Sequence, residues 1–225
     1  YIADTGSTPE EIIEITEFID SHTIQFGHKI QLIQYDYYNF AKINNDVVNN
    51  YVSEDIQLLL FCNNDIKLIN NAITRLVNVY IKNKNTVGTL GGRLHFENGT
   101  IQHSGMTLFL KQNNKTQYNI GLTHHGLNSY YNYHSSTQPV LGNTGAFLLI
   151  NKKLFNNIKQ FNENYLECFE DVELNLECLK RNKKNIFIED AVCYHYESKT
   201  RNKNDEKLKR ESMDYKKLIP VIIDN

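Results

Sequence analysis

The sequence predicts an α/β fold, a mostly parallel sheet with flanking helices, on three observations. Short apolar runs alternate with amphipathic helical stretches, the order that parallel sheets with crossover helices require. The run "IQLLLFC", residues 56–62, is apolar except for Gln57, as a strand covered on both faces would be. Finally, carboxylates and amides collect where predicted strands end and helices begin, which is the rim where open α/β sheets bind ligands. A chain of 225 residues with 40% apolar content supplies one sizeable core.

Each element has its own local signal. "YIAD" reads as a strand, followed by Asp4-Thr5-Gly6-Ser7. That tetrapeptide is also the signature of an aspartic protease, whose chemistry needs two carboxylates sharing one proton. The nearest downstream match, Asn143-Thr144-Gly145, carries an amide where the second Asp would stand. The loop also runs into a helix, not into more β-structure. Thr8 is placed as an N-cap, Pro9 at the first helical position and Glu11 as the partner in a capping box. Ile12, Ile15 and Ile19 then share a face, with Phe18 beside it.

"KIQLIQYD" is the next strand, and "NFAKINNDVVNNY" a loop running into a polar helix. Beyond the apolar strand, "LINNAITRLVNVYIKN" is a helix with Leu68, Ala72, Leu76 and Val79 on one face, and "TVGTL" is a strand. "GGRLHFENGTIQHSGMTLFL" reads as a small antiparallel element, a hairpin turning at Glu97-Asn98-Gly99. The polar, aromatic stretch "KQNNKTQYNIGLTHHGLNSYYNYHSSTQ" reads as a long surface loop.

"PVLGNTGAFLLINKKLF" gives a buried strand and a short helix, and "ECFEDVELNLECLKRN" a helix with Val172, Leu176 and Leu179 facing inward. "KNIFIEDAVCYHYES" gives two strands, and the charged end "TRNKNDEKLKRESMDYKKL" a helix or tail with a solvated face. The expected division is a main domain over 1–200 and a charged terminal segment over 201–225.

Composition excludes some classes. A formal charge of −2 argues against a general nucleic-acid binder. No apolar run approaches the roughly 20 residues that span a bilayer. Cys62, Cys168, Cys178 and Cys193 show no metal-like spacing and lie in apolar or periodic segments, so buried free thiols in a reducing, cytoplasmic compartment are expected.

At the rim, Asp4 ends the first strand, Asn63-Asn64-Asp65 ends the apolar strand, Glu170-Asp171 opens a helix and His195 closes the last strand. Each has a structural explanation alone: a capped Gly6 turn, a helix-start turn, acids offsetting a helix dipole, a satisfied histidine. Together they set hard oxygen donors, an imidazole and a base on one rim. That set suits Mg²⁺ or Mn²⁺ bound jointly with a diphosphate.

Seven segments, in order, resemble motifs of the family 2 glycosyltransferases, whose GT-A fold binds nucleotide-diphospho-sugars. "ADTGST" resembles Asp-Asn-Gly-Ser-Thr, "NFAKINN" resembles Gly-Phe-Ala-x-x-Asn-Asn, and "LLLFCNND" resembles Leu-Leu-Asn-Asn-Asp. "VGTLGGRLHFENGTIQHSGM" resembles the block ending Gly-x-Ile-x-His-x-Gly. "NTGAFLLINKKLFNNIKQFNENY" resembles Thr-Gly-Ala followed by Phe-Asp-Glu, "FEDVELNLECLKRN" resembles Glu-Asp-x-Asp-Leu, and "YHYES" resembles His-x-x-Ser.

The resemblance implies a single inverting displacement from a nucleotide-diphospho-sugar, expected to be a UDP-sugar, to a hydroxyl of a glycan, glycolipid or glycoprotein. Asp4 would contact the uracil or ribose, Lys42 and Asn44 would line the base pocket, and Asn64 and Asp65 would belong to the metal motif. Asp65 would ligate Mn²⁺ or Mg²⁺, with His195 as a second metal or phosphate contact. Asp171 would be the general base and Glu170 would position the acceptor, with the assignment of the base between these two acids left open; the acceptor is expected against the Tyr-rich stretch 118–134. The inner face of the membrane and a homo-oligomer are settings compatible with this reading.

Three departures stand out. The family's first strand is not seen, Asn39 replaces a usual Gly, and Glu173 replaces the second Asp of Glu-Asp-x-Asp. The alternative reading is a non-catalytic glycosyltransferase-like module for binding or assembly.

Overall fold

The computed structural model describes the chain except for residues 28, 114, 123–124, 128–135, 197–204 and 224–225, and gives the backbone alone at 110–113, 115–119, 205 and 223. Two compact units emerge, Tyr1–Ser53 and Glu54–Asn225.

In the first unit, β1 (Ile2–Asp4) pairs in parallel with β2 (Leu32–Gln34), and α1 (Pro9–Phe26) connects them. The capping box predicted at Thr8 is present. Its hydroxyl accepts from Glu11 N, and Glu11 Oε2 accepts from Thr8 N at 2.7 Å. Gly27 ends α1 in the left-handed region, φ 67°, where a side chain would be strained. Ile12, Ile15 and Ile19 form the half-buried face, and no residue of α1 is fully buried. The second helix, α2 (Phe40–Asn50), begins at once, capped by Asn39 Oδ1 accepting from Lys42 N at 2.8 Å. Asn39 thus has a positive reason to replace Gly here: its side chain satisfies an orphan amide.

The second unit is built on a seven-stranded sheet. Its spine runs β3 (Leu58–Cys62), β10 (Phe147–Asn151), β5 (Val87–His95), β11 (Lys184–His195) and β4 (Ile66–Leu68). The strand β6 (Ile101–His103) pairs with β5, and β9 (Gln138–Val140) with β11. The β5–β11 pair is parallel and the other pairs of this sheet are antiparallel.

Both faces are covered. On one, α3 (Ala72–Asn83) packs Ala72, Leu76 and Tyr80 against Leu90, Leu94, Phe147, Leu149 and Ile188. On the other, Phe61 meets the rings of Phe155 and Phe161 at 5.1 and 4.9 Å. This is why the run through β3 is apolar at nearly every position. Each fully buried Leu or Phe contributes roughly 1.5–3 kcal/mol.

A second core lies beneath α5 (Glu170–Lys180). There Val172 and Leu176 join Met106, Tyr165 and Leu218, the last from α6 (Asp205–Ile223). The short helix α4 (Lys152–Asn157) follows β10.

Several expectations change. Leu68 lies in β4, not α3, and is 43% exposed. The segment read as two strands at 184–195 is one strand, β11, interrupted by a register shift between Ile188 and Val192. The start of the long loop is a hairpin of β7 (Met106–Asn113) and β8 (Lys115–Leu122). The remainder of the Tyr-rich stretch lies mostly outside the described residues. All four cysteines are free as expected, but Cys62 is exposed and Cys168 only part-buried, while Cys178 and Cys193 are buried.

The described part of the charged end, 205–223, is a helix, one of the two forms expected, and is not wholly solvated. Asp214 and Leu218 of α6 are fully buried, because 214, 218, 221 and 222 fall on one helical face. Among the described residues, no helix is long and apolar enough to cross a membrane.

Candidate active site

The sheet directions gather the predicted residues of the second unit. Because β10 runs antiparallel to β3 and β5, its start stands at the carboxyl end of β3, opposite Cys62, and beside the carboxyl-terminal half of β5. The end of β11 stands beside the end of β5, with Tyr194 opposite His95. One rim therefore carries Asn63-Asn64-Asp65, Asn143-Thr144-Gly145 and His195. Asn63 N donates to Ala146 O at 2.9 Å, and Tyr196 N donates to Asp65 O at 3.0 Å, fixing the amide-acid turn between β10 and β11.

Asp65 and His195 meet. The imidazole Nε2 lies 3.1 Å from Asp65 Oδ1, yet Oδ1 is buried without an aligned hydrogen-bond donor among the described residues. The approach is close but is not a hydrogen bond. Asn63 Nδ2 is 3.3 Å from the same Nε2, and Asn64 is exposed. Among the described residues there is no group of three or more His, Cys, Asp or Glu that could hold a metal. The donor set is thus one carboxylate and one imidazole, which fits a divalent cation completed by phosphate oxygens and water, not a closed protein cage.

Asp171 sits on the other half of the rim, in the first turn of α5. Its Oδ2 accepts from Gly145 N at 2.8 Å. Burial pushes its carboxyl above the usual range, opposed by hydrogen bonds from Gly145, Val172 and Thr144. A carboxylate so placed is shifted toward proton uptake at neutral pH, as a general base requires. Phe169, just before Glu170, adopts a left-handed conformation, φ 79°, without a side-chain cap. That costs a non-glycine residue about 1–2 kcal/mol and persists only where surroundings enforce it.

The enforcement comes from α6. Asp214 Oδ2 accepts from Leu166 N at 2.8 Å, Glu167 N at 2.7 Å and Cys168 N at 3.4 Å. Its Oδ1 pairs with Lys217 Nζ at 3.0 Å. Arg210 Nε reaches Glu167 at 3.0 Å, and the Tyr215 ring lies 6.0 Å from that of Phe169.

A buried amide network supports the same turn from below. Asn175 Nδ2 donates to Asp171 O at 2.6 Å and to Asn143 O at 2.8 Å, while its Oδ1 accepts from Asn143 N at 3.1 Å and Thr89 Oγ1 at 2.6 Å. Asn185 Nδ2 donates to Asn175 O at 2.9 Å. Asn143, which stands where a protease would need its second acid, is therefore a structural residue. Glu173 has a partner too: both its oxygens accept from Asn162 Nδ2 at 3.1 Å. Asn at 162, where the resemblance has Asp, supplies the donor that the longer acid at 173 needs.

In the first unit, Asp4 Oδ1 accepts from Ser7 Oγ at 2.6 Å and Ser7 N at 3.2 Å. The Ser7 hydroxyl, ahead of backbone amides, holds its carboxyl below the usual range against a small desolvation effect. Asp4 thus caps its own turn. Lys42 Nζ stands 4.5 Å over the Tyr37 ring, and Asn44 Nδ2 donates to Phe40 O at 2.8 Å.

No protein-family model matches the chain. It is 23% identical over 210 residues to the O-antigen biosynthesis protein RfbC of Myxococcus xanthus, covering 89% of this chain and 15% of that protein. To the uncharacterized protein y4gI of Sinorhizobium fredii it is 26% identical over 182 residues, covering 77% and 18%. The chain thus spans less than a fifth of the length of these curated relatives.

Among solved structures it is similar to GalNAc-T7 with UDP, GalNAc and Mn²⁺, with a TM-score of 0.62 and 11% identity over 95% of this chain and 40% of that one. It is also similar to the mannosyltransferase PcManGT of Pyrobaculum calidifontis with GDP-Man and Mn²⁺, with a TM-score of 0.57 and 12% identity over 88% and 47%. The fold is that of the GT-A glycosyltransferases.

Proposed function

We propose that the chain is the sugar-transfer module of an inverting glycosyltransferase that takes a nucleotide-diphospho-sugar donor and a hydroxyl acceptor on a glycan or glycoconjugate. The observation that carries this is the pairing, on one rim of a GT-A sheet, of Asp65 and His195 with a part-buried carboxylate, Asp171, at a helix start. Asp65 and His195 would hold Mn²⁺ or Mg²⁺, which when bound supplies positive charge against the diphosphate.

The chain's own chemistry falls to Asp171. It takes the proton of the acceptor hydroxyl as that oxygen bonds to the anomeric carbon. The bond from that carbon to the diphosphate breaks, both electrons leave on the nucleoside diphosphate, and the configuration inverts. Glu170 is assigned to orient the acceptor. In the first unit, Asp4, Lys42 and Asn44 are assigned to the base and ribose. GalNAc-T7 and PcManGT were solved with UDP and with GDP-Man respectively, so both nucleotides are reasonable probes, with UDP the expected one.

Slow donor hydrolysis tests this before any acceptor is known. Incubation with Mn²⁺ and a panel of UDP- and GDP-sugars should release one nucleoside diphosphate selectively, and the freed sugar should appear first with inverted anomeric configuration by NMR. Release with retained configuration would contradict the single displacement.

A further inference from the structure

Gln102 is the middle residue of β6 and is 4% exposed, between the buried Ile101 and His103. None of the roles assigned above uses it. Its Oε1 lies 2.7 Å from His195 Nδ1, and its main-chain carbonyl accepts from His125 Nδ1 at 2.8 Å. An amide oxygen only accepts, so the imidazole nitrogen facing it must carry the hydrogen. A neutral imidazole holds just one. Nε2 is then left with its lone pair, which accepts from Asn63 Nδ2 at 3.3 Å, with Asp65 Oδ1 at 3.1 Å beside it. Among the described residues no donor is aligned on Asp65 Oδ1, so this oxygen lies off the axis of Nε2. Asp65 Oδ1 therefore lies beside the direction of the Nε2 lone pair, where one cation could touch both atoms by taking the place of the Asn63 amide.

We infer that Gln102 is a positioning residue. It fixes His195 as the Nδ1–H tautomer and so presents Nε2, next to Asp65, as a cation-binding face. The geometry stands alone, but its purpose rests on the metal reading under Proposed function. Residues that hold the far nitrogen of a ligating histidine are usually carboxylates or carbonyls, and their loss typically weakens metal binding about 10–100-fold. A buried glutamine meets the same need without adding negative charge beside Asp65. On the neighbouring residue, His103 Nε2 accepts from Thr144 N at 3.4 Å. Its ring is held far below the ordinary histidine range by burial and therefore stays neutral. Adjacent residues of β6 thus serve the two halves of the rim.

The test is the ¹⁵N imidazole spectrum of the labelled chain at about pH 8, above the ordinary histidine pKa of about 6.5, with His195 assigned by its loss in His195→Gln. The wild type should show a protonated Nδ1 and a bare Nε2. Gln102→Met, which offers no comparable acceptor, should move population to Nε2–H, while Gln102→Glu should keep Nδ1–H and guards against simple misfolding of the first variant. An Nε2–H tautomer in the wild type, with the amide turned to donate, would overturn the inference, as would an unchanged tautomer in Gln102→Met. Electron paramagnetic resonance of Mn²⁺ with UDP or GDP separates the purpose: Gln102→Met should bind about 10–100-fold more weakly. Equal affinity in wild type and Gln102→Met would overturn the positioning role. If the tautomer depends on Gln102 but the wild type takes up no Mn²⁺, the tautomer assignment holds and the metal reading fails.

Discussion

Asp171→Asn is expected to slow transfer by about 10²–10⁴-fold, the usual contribution of a positioned base, while nucleotide binding and the fold survive. Asparagine can still accept from Gly145 N through Oδ1, so the contact at 2.8 Å is kept, while its NH2 replaces an oxygen that could accept from Val172 or Thr144. The same substitution should raise thermal stability at neutral pH. Burial lifts the folded-state pKa of Asp171 above its unfolded value. Its favourable contribution is therefore present in full below the unfolded value and is lost as pH rises through the raised one. At pH 7 the native state holds a desolvated charge that the amide removes. The melting-temperature gain of Asp171→Asn should shrink as pH falls below the ordinary carboxylate range. In the wild type, activity should fall on the acid side at a pH above that range. A variant with full activity would remove Asp171 from the mechanism. A variant that is both inactive and less stable at pH 7 would mean that the carboxylate is mainly structural.

Asp214→Ala should be the most destabilising single change in the second unit. It removes the acceptor for three backbone amides and the partner of Lys217, leaving several of these groups without one. Breaking a buried charged arrangement in this way costs about 3–5 kcal/mol, which in a chain of this size lowers the melting temperature by roughly 6–20 °C. Lys217→Met should cost far less, about 1 kcal/mol or below, because the lysine is part-exposed and the three amides keep their acceptor. Thermal or denaturant melts compare the two directly. If Asp214→Ala melted within a degree or two of wild type, α6 would not be what holds the 166–169 turn. The turn leads into Phe169 and Glu170, so any folded fraction of Asp214→Ala should also lose transfer.

Much of this site is legible in the sequence, for physical reasons. The capping box at Thr8, the apolar run through β3, the Gly99 turn and the acids opening α5 are local signals, and local physics sets them. Asp65 and His195 are legible as candidates because strand ends are visible in the sequence, and Asp171 because it opens a helix on the same rim. What escaped depends on partners distant in sequence. Gln102 and Asn175 belong to a chain rich in amides, where only burial distinguishes a network member from a solvated one. Asp214 lies in a run of charges that suggests a solvated face. The spacing 214, 218, 221, 222 was the available clue, masked because the anchor is an acid. The β8 strand is hard to read although Thr116, Tyr118, Ile120 and Leu122 alternate, since Thr116 and Tyr118 are themselves partly polar and Gly121 interrupts the run. In β11 the bulge at 188–192 places polar residues mid-strand and makes one strand read as two.

The central claim is that Asp65 and His195 form a divalent-cation site serving a nucleoside diphosphate. Calorimetric titration of UDP, and in parallel GDP, into the chain with and without Mn²⁺ tests it most directly, with Asp65→Ala as the control. The account predicts binding of one nucleotide that requires Mn²⁺ and is abolished in Asp65→Ala. Binding that ignores both the metal and the substitution would contradict it.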